Sequence, residues 1–238
     1  MSTFWAWTDE LIAPGELRLS GDEARHLAAR RLRNGDALSV FDGRGTVAAA
    51  RLDHAGKREA VVVVESVETS EAPAAKPVLA SAIPKGDRLS TMLQMLSQLG
   101  AAVWQPLVLE HSVVRDIDPD AARLRRILIE SAKLARRAWL LEVRAPIGID
   151  VALAHAAPEA TRFGDRDGTV APLDGSVELV LIGPEAGFSA AERRLLDEKG
   201  VCPAAFAAHN LRIETAAIAA AASAFAFAGR GEAMGDGA

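Results

Sequence analysis

The chain has 238 residues, half of them hydrophobic, which suits one large domain or two modest ones with real cores. Its 27 basic and 32 acidic residues leave a net charge of −5; this excludes a protein that coats nucleic acid through bulk charge but leaves room for a local basic face. A single cysteine, Cys202, excludes an internal disulfide and points to a reducing cytoplasm.

The opening MSTFWAWTDELIA lacks a basic n-region and meets Asp9 and Glu10 early, so no secretory signal is expected. Up to about residue 70, GELRLS, DALSVFDG, GTVAAARLD and EAVVVVESVE are short apolar runs between turn residues, the pattern of a small sheet or barrel. Between the first two, DEARHLAARRLRNG predicts a helix from an acidic cap to Gly35. The stretch ETSEAPAAKP, residues 68–77, turns small, polar and proline-bearing and reads as a linker. The expected domains are therefore 1–72, β-rich, and 77–238, α/β.

Beyond Pro77 strands and helices alternate. PVLASAI predicts a strand, and DRLSTMLQMLSQLG a helix with Asp87 as N-cap, Gly100 as C′ residue, and Leu89, Met92, Leu93, Leu96 and Leu99 on one face. AVWQPLVLE is the next strand, and DPDAARLRRILIESAKLARRAWLLE predicts one long helix. VELVLI lacks polar interruption, as a strand covered on both faces should. SAAERRLLDEKG is a helix, VCPAAF a strand in which Cys202 is expected to be core, and ETAAIAAAASAFAFAG a buried helix too short and alanine-rich to span a bilayer. Such alternation implies a parallel α/β sheet.

Three decoys fall away. FDGRGTVAA carries G-x-G-x-x-A, but no helix opens at its glycines, so Asp42, Gly43 and Gly45 read as a hairpin turn. PKGDR lacks the G-x-x-x-x-G-K-[ST] frame of a phosphate loop. Five scattered histidines and one cysteine give no metal-ligand spacing, and no G-x-S-x-G elbow exists; metal and hydrolase chemistry have no support.

Two late loops carry chemistry instead. In VELVLIGPEAGFSAAE, Ser189 and Glu192 form a capping box that starts a helix near Ala190. This leaves Gly183 to Phe188 as a loop at the carboxyl end of a strand, where ligand clefts of parallel sheets lie. Gly183 and Gly187 allow close backbone approach, and Glu185 is a carboxylate without a local structural reason. In AAHNLRIETAAIAAAA, Arg212 and Glu214 stand at the mouth of an apolar helix. Glu214 suits the helix dipole; Arg212 gains nothing from it.

G-P-E-x-G-F-S-x-x-E followed by L-R-x-E-T-A resembles the RsmE family, ribosomal RNA uridine-N3 methyltransferases of the SPOUT superfamily. The resemblance extends to HLAARRLRNGDALSVFDGRG, similar to the family's PUA-like RNA-binding module, to IPKGDRLSTMLQMLSQLGAAVWQPLVLEHSVVR, and to ESAKLARR. It implies a PUA-like β-barrel joined to an α/β domain with a trefoil knot, S-adenosyl-L-methionine as cofactor, 16S rRNA of the small ribosomal subunit as partner, and a cytoplasmic homodimer with neither membrane nor metal. Carried over, Ile182, Gly183, Gly187 and Leu211, with Arg212, Glu214 and Thr215 closing the last loop, hold the cofactor. For methyl transfer to N3, the planar, permanently charged Arg212 is the expected catalytic partner of the uracil oxygens or a flanking phosphate, and Glu185 the expected group that takes the N3 proton or orients the base. Arg25, Arg30, Arg31, Arg33, Lys85 and Arg88 are the expected RNA contacts. The chain departs from the family at Met95, Gln98, Leu134, Ala186 and Phe206-Ala207. These departures keep two alternatives in play, a non-catalytic RNA-binding or ribosome-assembly protein on the same fold and a ribose 2′-O-methyltransferase.

Overall fold

The computed structural model describes residues 4–30, 32–56, 58–170 and 173–225. They form two compact units: one runs to Pro73 and takes in Ile129–Leu140, the other comprises Ala74–Leu128 and the chain from Leu141.

The first unit is a five-stranded sheet in the order β1-β3-β4-β5-β2. Its elements are β1 (Phe4–Trp7), β2 (Gly15–Ser20), α1 (Gly21–Ala29), β3 (Ala37–Phe41), β4 (Thr46–Ala55) and β5 (Glu59–Thr69). All pairings are antiparallel except β1 with β3. Alternation sets the inner face: Leu17 and Leu19 of β2 are buried while Arg18 between them is exposed, and Ala48, Ala50 and Leu52 of β4 repeat the period. The β3–β4 turn is closed by the Asp42 carboxylate, which accepts from the N–H of Arg44 at 2.7 Å and of Thr46 at 3.0 Å. Gly45 in that turn has φ 101, and a Cβ there would lie 2.6 Å from the Trp139 ring.

A second small core joins Phe41 to Ile129 and Ala132, with Trp5, Trp7, Val47 and Leu140 packed on it. Ile129 and Ala132 come from α3 (Ala122–Ala135). That helix also buries Lys133 against Glu23, Nζ to Oε1 2.7 Å, and Nζ reaches Glu130 at 3.0 Å and His26 Nδ1 at 3.4 Å. Glu23, His26 and Glu130 bring ligand atoms within 4.8 Å of one another, but the cation among them is this ammonium.

The second unit is a wholly parallel six-stranded sheet in the order β11-β9-β10-β6-β7-β8. Its strands are β6 (Val78–Ala82), β7 (Val103–Leu107), β8 (Glu142–Val143), β9 (Thr161–Thr169), β10 (Leu179–Ile182) and β11 (Cys202–Ala204); its own helices are α2 (Asp87–Leu99), α4 (Ile149–Leu153), α5 (Ala190–Glu198) and α6 (Ile213–Phe225). β10 is buried at all four residues, in keeping with its uninterrupted apolar run. The core gathers Trp104 and Phe163 with Met92, Leu93 and Leu96 of α2 and Ala217, Ala220 and Ala221 of α6. The mixed fold with a parallel sheet is the one expected.

Some elements differ from expectation. The long helix stops at Ala135, where Arg136 turns to φ 54, the left-handed conformation of a helix C-terminus. Asp87 is the first helical residue of α2 and not its cap: Gly86 holds the cap position, and the Asp87 carboxylate accepts from Arg123 Nη2 at 3.0 Å. Gly100 does end α2 in the left-handed conformation, φ 101. Cys202 is exposed, because the edge strand β11 turns that side chain outward. Among the described residues no helix is long and apolar enough to cross a membrane.

Candidate active site

At the carboxyl ends of β10 and β11, beside the middle of β9, lies a cavity of about 300 Å³, the low end of small-molecule sites. Its walls are Gly164 to Arg166, Ile182 to Phe188, Ala204, Phe206, Ala207, His209 to Leu211, and Ala216 from the first turn of α6. Two loops, after β10 and β11, therefore meet the middle of β9 at the ends of parallel strands, where open α/β sheets place their ligands.

Local chemistry shapes the loop after β10. The Gly187 N–H donates to the Pro184 carbonyl at 2.8 Å, closing a turn over Glu185 and Ala186. Gly187 then takes φ 78, a conformation that favours glycine. Gly183 is glycine for space: a Cβ there would sit 3.2 Å from Phe188 Cε2. The Phe188 ring meets Phe163 edge-on, centroids 5.9 Å apart, and the Arg193 guanidinium lies 4.6 Å over the Phe163 ring. The expected capping box closes the segment, with Ser189 Oγ accepting from Glu192 N–H and Glu192 Oε2 accepting from Ser189 N–H.

Of the expected cofactor residues, Ile182, Gly183, Gly187 and Leu211 line the cavity, and Glu185 stands among its walls. Arg212, Glu214 and Thr215 are not wall residues. Arg212 is exposed, and its side chain makes no hydrogen bond or ion pair with a described residue. Thr215 is exposed, whereas Glu214 is 9% exposed and its Oε2 has no hydrogen-bond partner among the described residues. Glu185 does not pair with Arg212. It accepts from Arg88 Nη1 at 3.1 Å, which joins an expected RNA contact to the expected proton acceptor.

None of the other described residues expected to contact RNA lines the cavity. Lys85 is exposed in the second unit, and Arg25, Arg30 and Arg33 are exposed in the first, where Arg25 pairs with Asp22; Arg31 lies outside the described residues. Sequence reasoning missed Asp165 and Arg166, wall residues on β9. The Asp165 carboxylate accepts from Arg193 Nη1 and, at 2.8 Å, from Asp167 N–H. The Arg193 bond, with burial working against it, holds the Asp165 carboxyl below its ordinary value.

Residues 70–224 match the model of an RNA methyltransferase domain and residues 19–65 that of an RNA methyltransferase PUA domain. The chain is 31% identical over 197 residues to ribosomal RNA small subunit methyltransferase E of Synechocystis, covering 78% of this chain and 64% of that protein, so it spans slightly under two thirds of that relative. It is 26% identical to the Aquifex aeolicus protein of the same name, over 85% of this chain and 90% of the relative. The crystal structure of ribosomal RNA small subunit methyltransferase E from Neisseria gonorrhoeae bound to S-adenosyl methionine is similar with a TM-score of 0.79 and 26% identity, covering 93% of this chain and 96% of that one. With an RNA methyltransferase domain matched over more than half of its length and a PUA domain ahead of it, the chain belongs to the RNA methyltransferase family that includes ribosomal RNA small subunit methyltransferase E.

Proposed function

We propose that this chain is a cytoplasmic methyltransferase that uses S-adenosylmethionine to methylate N3 of a uridine in 16S rRNA of the small ribosomal subunit, working as a homodimer. One observation carries this reading: a glycine-walled cavity at the carboxyl ends of parallel strands, in a chain of a family with a member crystallised with that cofactor. The uridine N3 specificity rests on the resemblance of GPEAGFSAAE and LRIETA to the RsmE family.

The residues present fit the cofactor. Gly183 lets the wall residue Phe188 pack against it where a methyl would crowd the ring, Gly187 supplies a positive-φ turn, and Ile182 and Leu211 add apolar wall. Glu214 and Thr215 act from the first turn of α6, whose Ala216 lines the cavity. Bound there, the cofactor supplies an electrophilic methyl on a sulfonium centre. The protein's part is to place the base, remove its proton and stabilise charge on the ring. Arg212, permanently charged and without a partner among the described residues, is free to meet the uracil oxygens or a flanking phosphate. Glu185 is held at the cavity by Arg88 and is the acceptor for the N3 proton. N3 lies on the Watson–Crick edge, so the target uridine must be unpaired or flipped out.

The test is methyl transfer from labelled S-adenosylmethionine to small ribosomal subunits lacking the modification, followed by nucleoside analysis. 3-Methyluridine is the expected product. A 2′-O-methylated nucleoside would move the reading to ribose chemistry, and no incorporation would end the enzyme reading. Arg212→Ala is expected to lower the rate at least 100-fold, as removal of a charge-stabilising donor does, while its melting temperature matches the wild type.

A further inference from the structure

The loop after β7 contributes nothing to the cavity wall, yet it grips the loop that does. Residues 109–112 form a turn closed on itself: Leu109 N–H donates to Ser112 Oγ at 3.0 Å, and Ser112 N–H donates to the Leu109 carbonyl at 3.1 Å. Arg115 Nη1 donates to the same carbonyl at 2.9 Å. The two residues on this platform reach across. Glu110 N–H donates to Glu192 Oε1 at 2.8 Å, while the other oxygen of that carboxylate accepts from Ser189 N–H at 2.8 Å. His111 Nδ1 lies 3.2 Å from the Gly187 carbonyl oxygen; a carbonyl only accepts, so Nδ1 carries the proton and donates.

This second bond falls where the backbone is softest. A peptide flanked by glycine reorients at little steric cost, and Gly187 sits at φ 78. Within a planar trans peptide the carbonyl and the following N–H point in opposite directions, so fixing the Gly187 carbonyl fixes the Phe188 N–H. Phe188 N lies 3.4 Å from the place a Cβ on Gly183 would occupy, and both residues are cavity walls. No described residue accepts from that N–H. We propose that His111 is a positioning residue that holds the Gly187 carbonyl outward and so aims the Phe188 N–H at an acceptor atom of the bound methyl donor. This rests on the reading that the cavity takes S-adenosylmethionine.

The experiment is calorimetric titration of S-adenosylmethionine, and of S-adenosylhomocysteine, into wild type, His111→Ala and His111→Gln, with melting curves of each unliganded protein. His111→Ala is expected to weaken both ligands about 3- to 10-fold, the net worth of one hydrogen bond, with an unchanged melting temperature. His111→Gln, whose side-chain amide offers an N–H to the same carbonyl, is expected to recover most of the affinity. In turnover the KM for S-adenosylmethionine rises in His111→Ala while the KM for RNA holds. Equal binding by wild type and His111→Ala would overturn the role of His111 and leave the proposed function standing. A loss shared by both variants together with a fall in melting temperature would also overturn it, since that marks a merely structural contact. Wild type that binds neither ligand would overturn both readings.

Discussion

At position 186 a methyl group stands where the family's loop carries glycine, and the backbone shows why it is tolerated. Ala186 is not in the positive-φ region; the turn places that demand on Gly187, with φ 78. Ala186→Gly is therefore expected to leave S-adenosylmethionine affinity within about twofold, whereas Gly187→Ala forces a side chain into a conformation that costs about 1–2 kcal/mol. Titration and melting curves would give a roughly tenfold weaker ligand and a lower melting temperature for the second variant only. Equal behaviour of the two would mean that the turn adapts. Asp165 makes a pH prediction. The Arg193 bond, opposed by burial, depresses its carboxyl below the ordinary 3.8, so its contribution to stability is present above about pH 4 and is lost as pH falls through the depressed value. Because the Arg193 side chain is 43% exposed, the contribution is below about 1 kcal/mol. Stability curves of wild type and Asp165→Asn should differ at pH 6 and converge at the acid end; a constant gap would assign the difference to packing. Neither which glycine bears the strain nor the partner of Glu185 is legible in sequence. The first is a dihedral angle, and the second joins Arg88 to a residue 97 positions away.

Among the elements, those with a clean period were readable: the apolar face of α2, the unbroken strand β10 and the capping box that opens α5. β9, TRFGDRDGT, was not, although it bears Asp165 and Arg166. Its charged residues and two glycines imitate a loop, and only pairing on both edges, with β10 and β11, makes it a strand. The end of α3 was equally hidden. Good helix formers continue through ARRAWLL, and it is Arg136 in the left-handed conformation that breaks the helix. Of the glycines in β9, Gly168 faces backbone: a Cβ there would lie 2.7 Å from Ala204 N and 2.8 Å from the Pro203 carbonyl carbon. The neighbouring strand cannot yield as a side-chain tip would. Gly168→Ala is expected to cost about 2–3 kcal/mol in urea denaturation. Since Ala204 is a cavity wall, it should also weaken S-adenosylmethionine. A variant of wild-type stability would show that β11 shifts freely along its edge.

Across the whole molecule, the N-terminal unit is not a continuous stretch of chain, for Ile129–Leu140 returns to complete it. Composition announces the linker but not the return, because the residues that come back belong to a helix whose pattern does not change at Ile129. The return is fastened by charge as well as by the packing of Ile129 and Ala132 on Phe41. Lys133 and Glu23 are 9% and 8% exposed at their side chains, and Glu23 Oε2 also accepts from Trp7 N–H at 3.2 Å. Removing only the ammonium strands a buried carboxylate, a change that costs about 3–5 kcal/mol, whereas removing both charges spares their desolvation. Lys133→Met is therefore expected to be strongly destabilised. Lys133→Met combined with Glu23→Gln, which keeps an acceptor for Trp7, should regain most of the loss. A double-mutant cycle by urea denaturation reads this coupling directly. Additive losses would mean that the ion pair contributes no more than its separate packing, and that Phe41, Ile129 and Ala132 alone hold the returning segment in its unit.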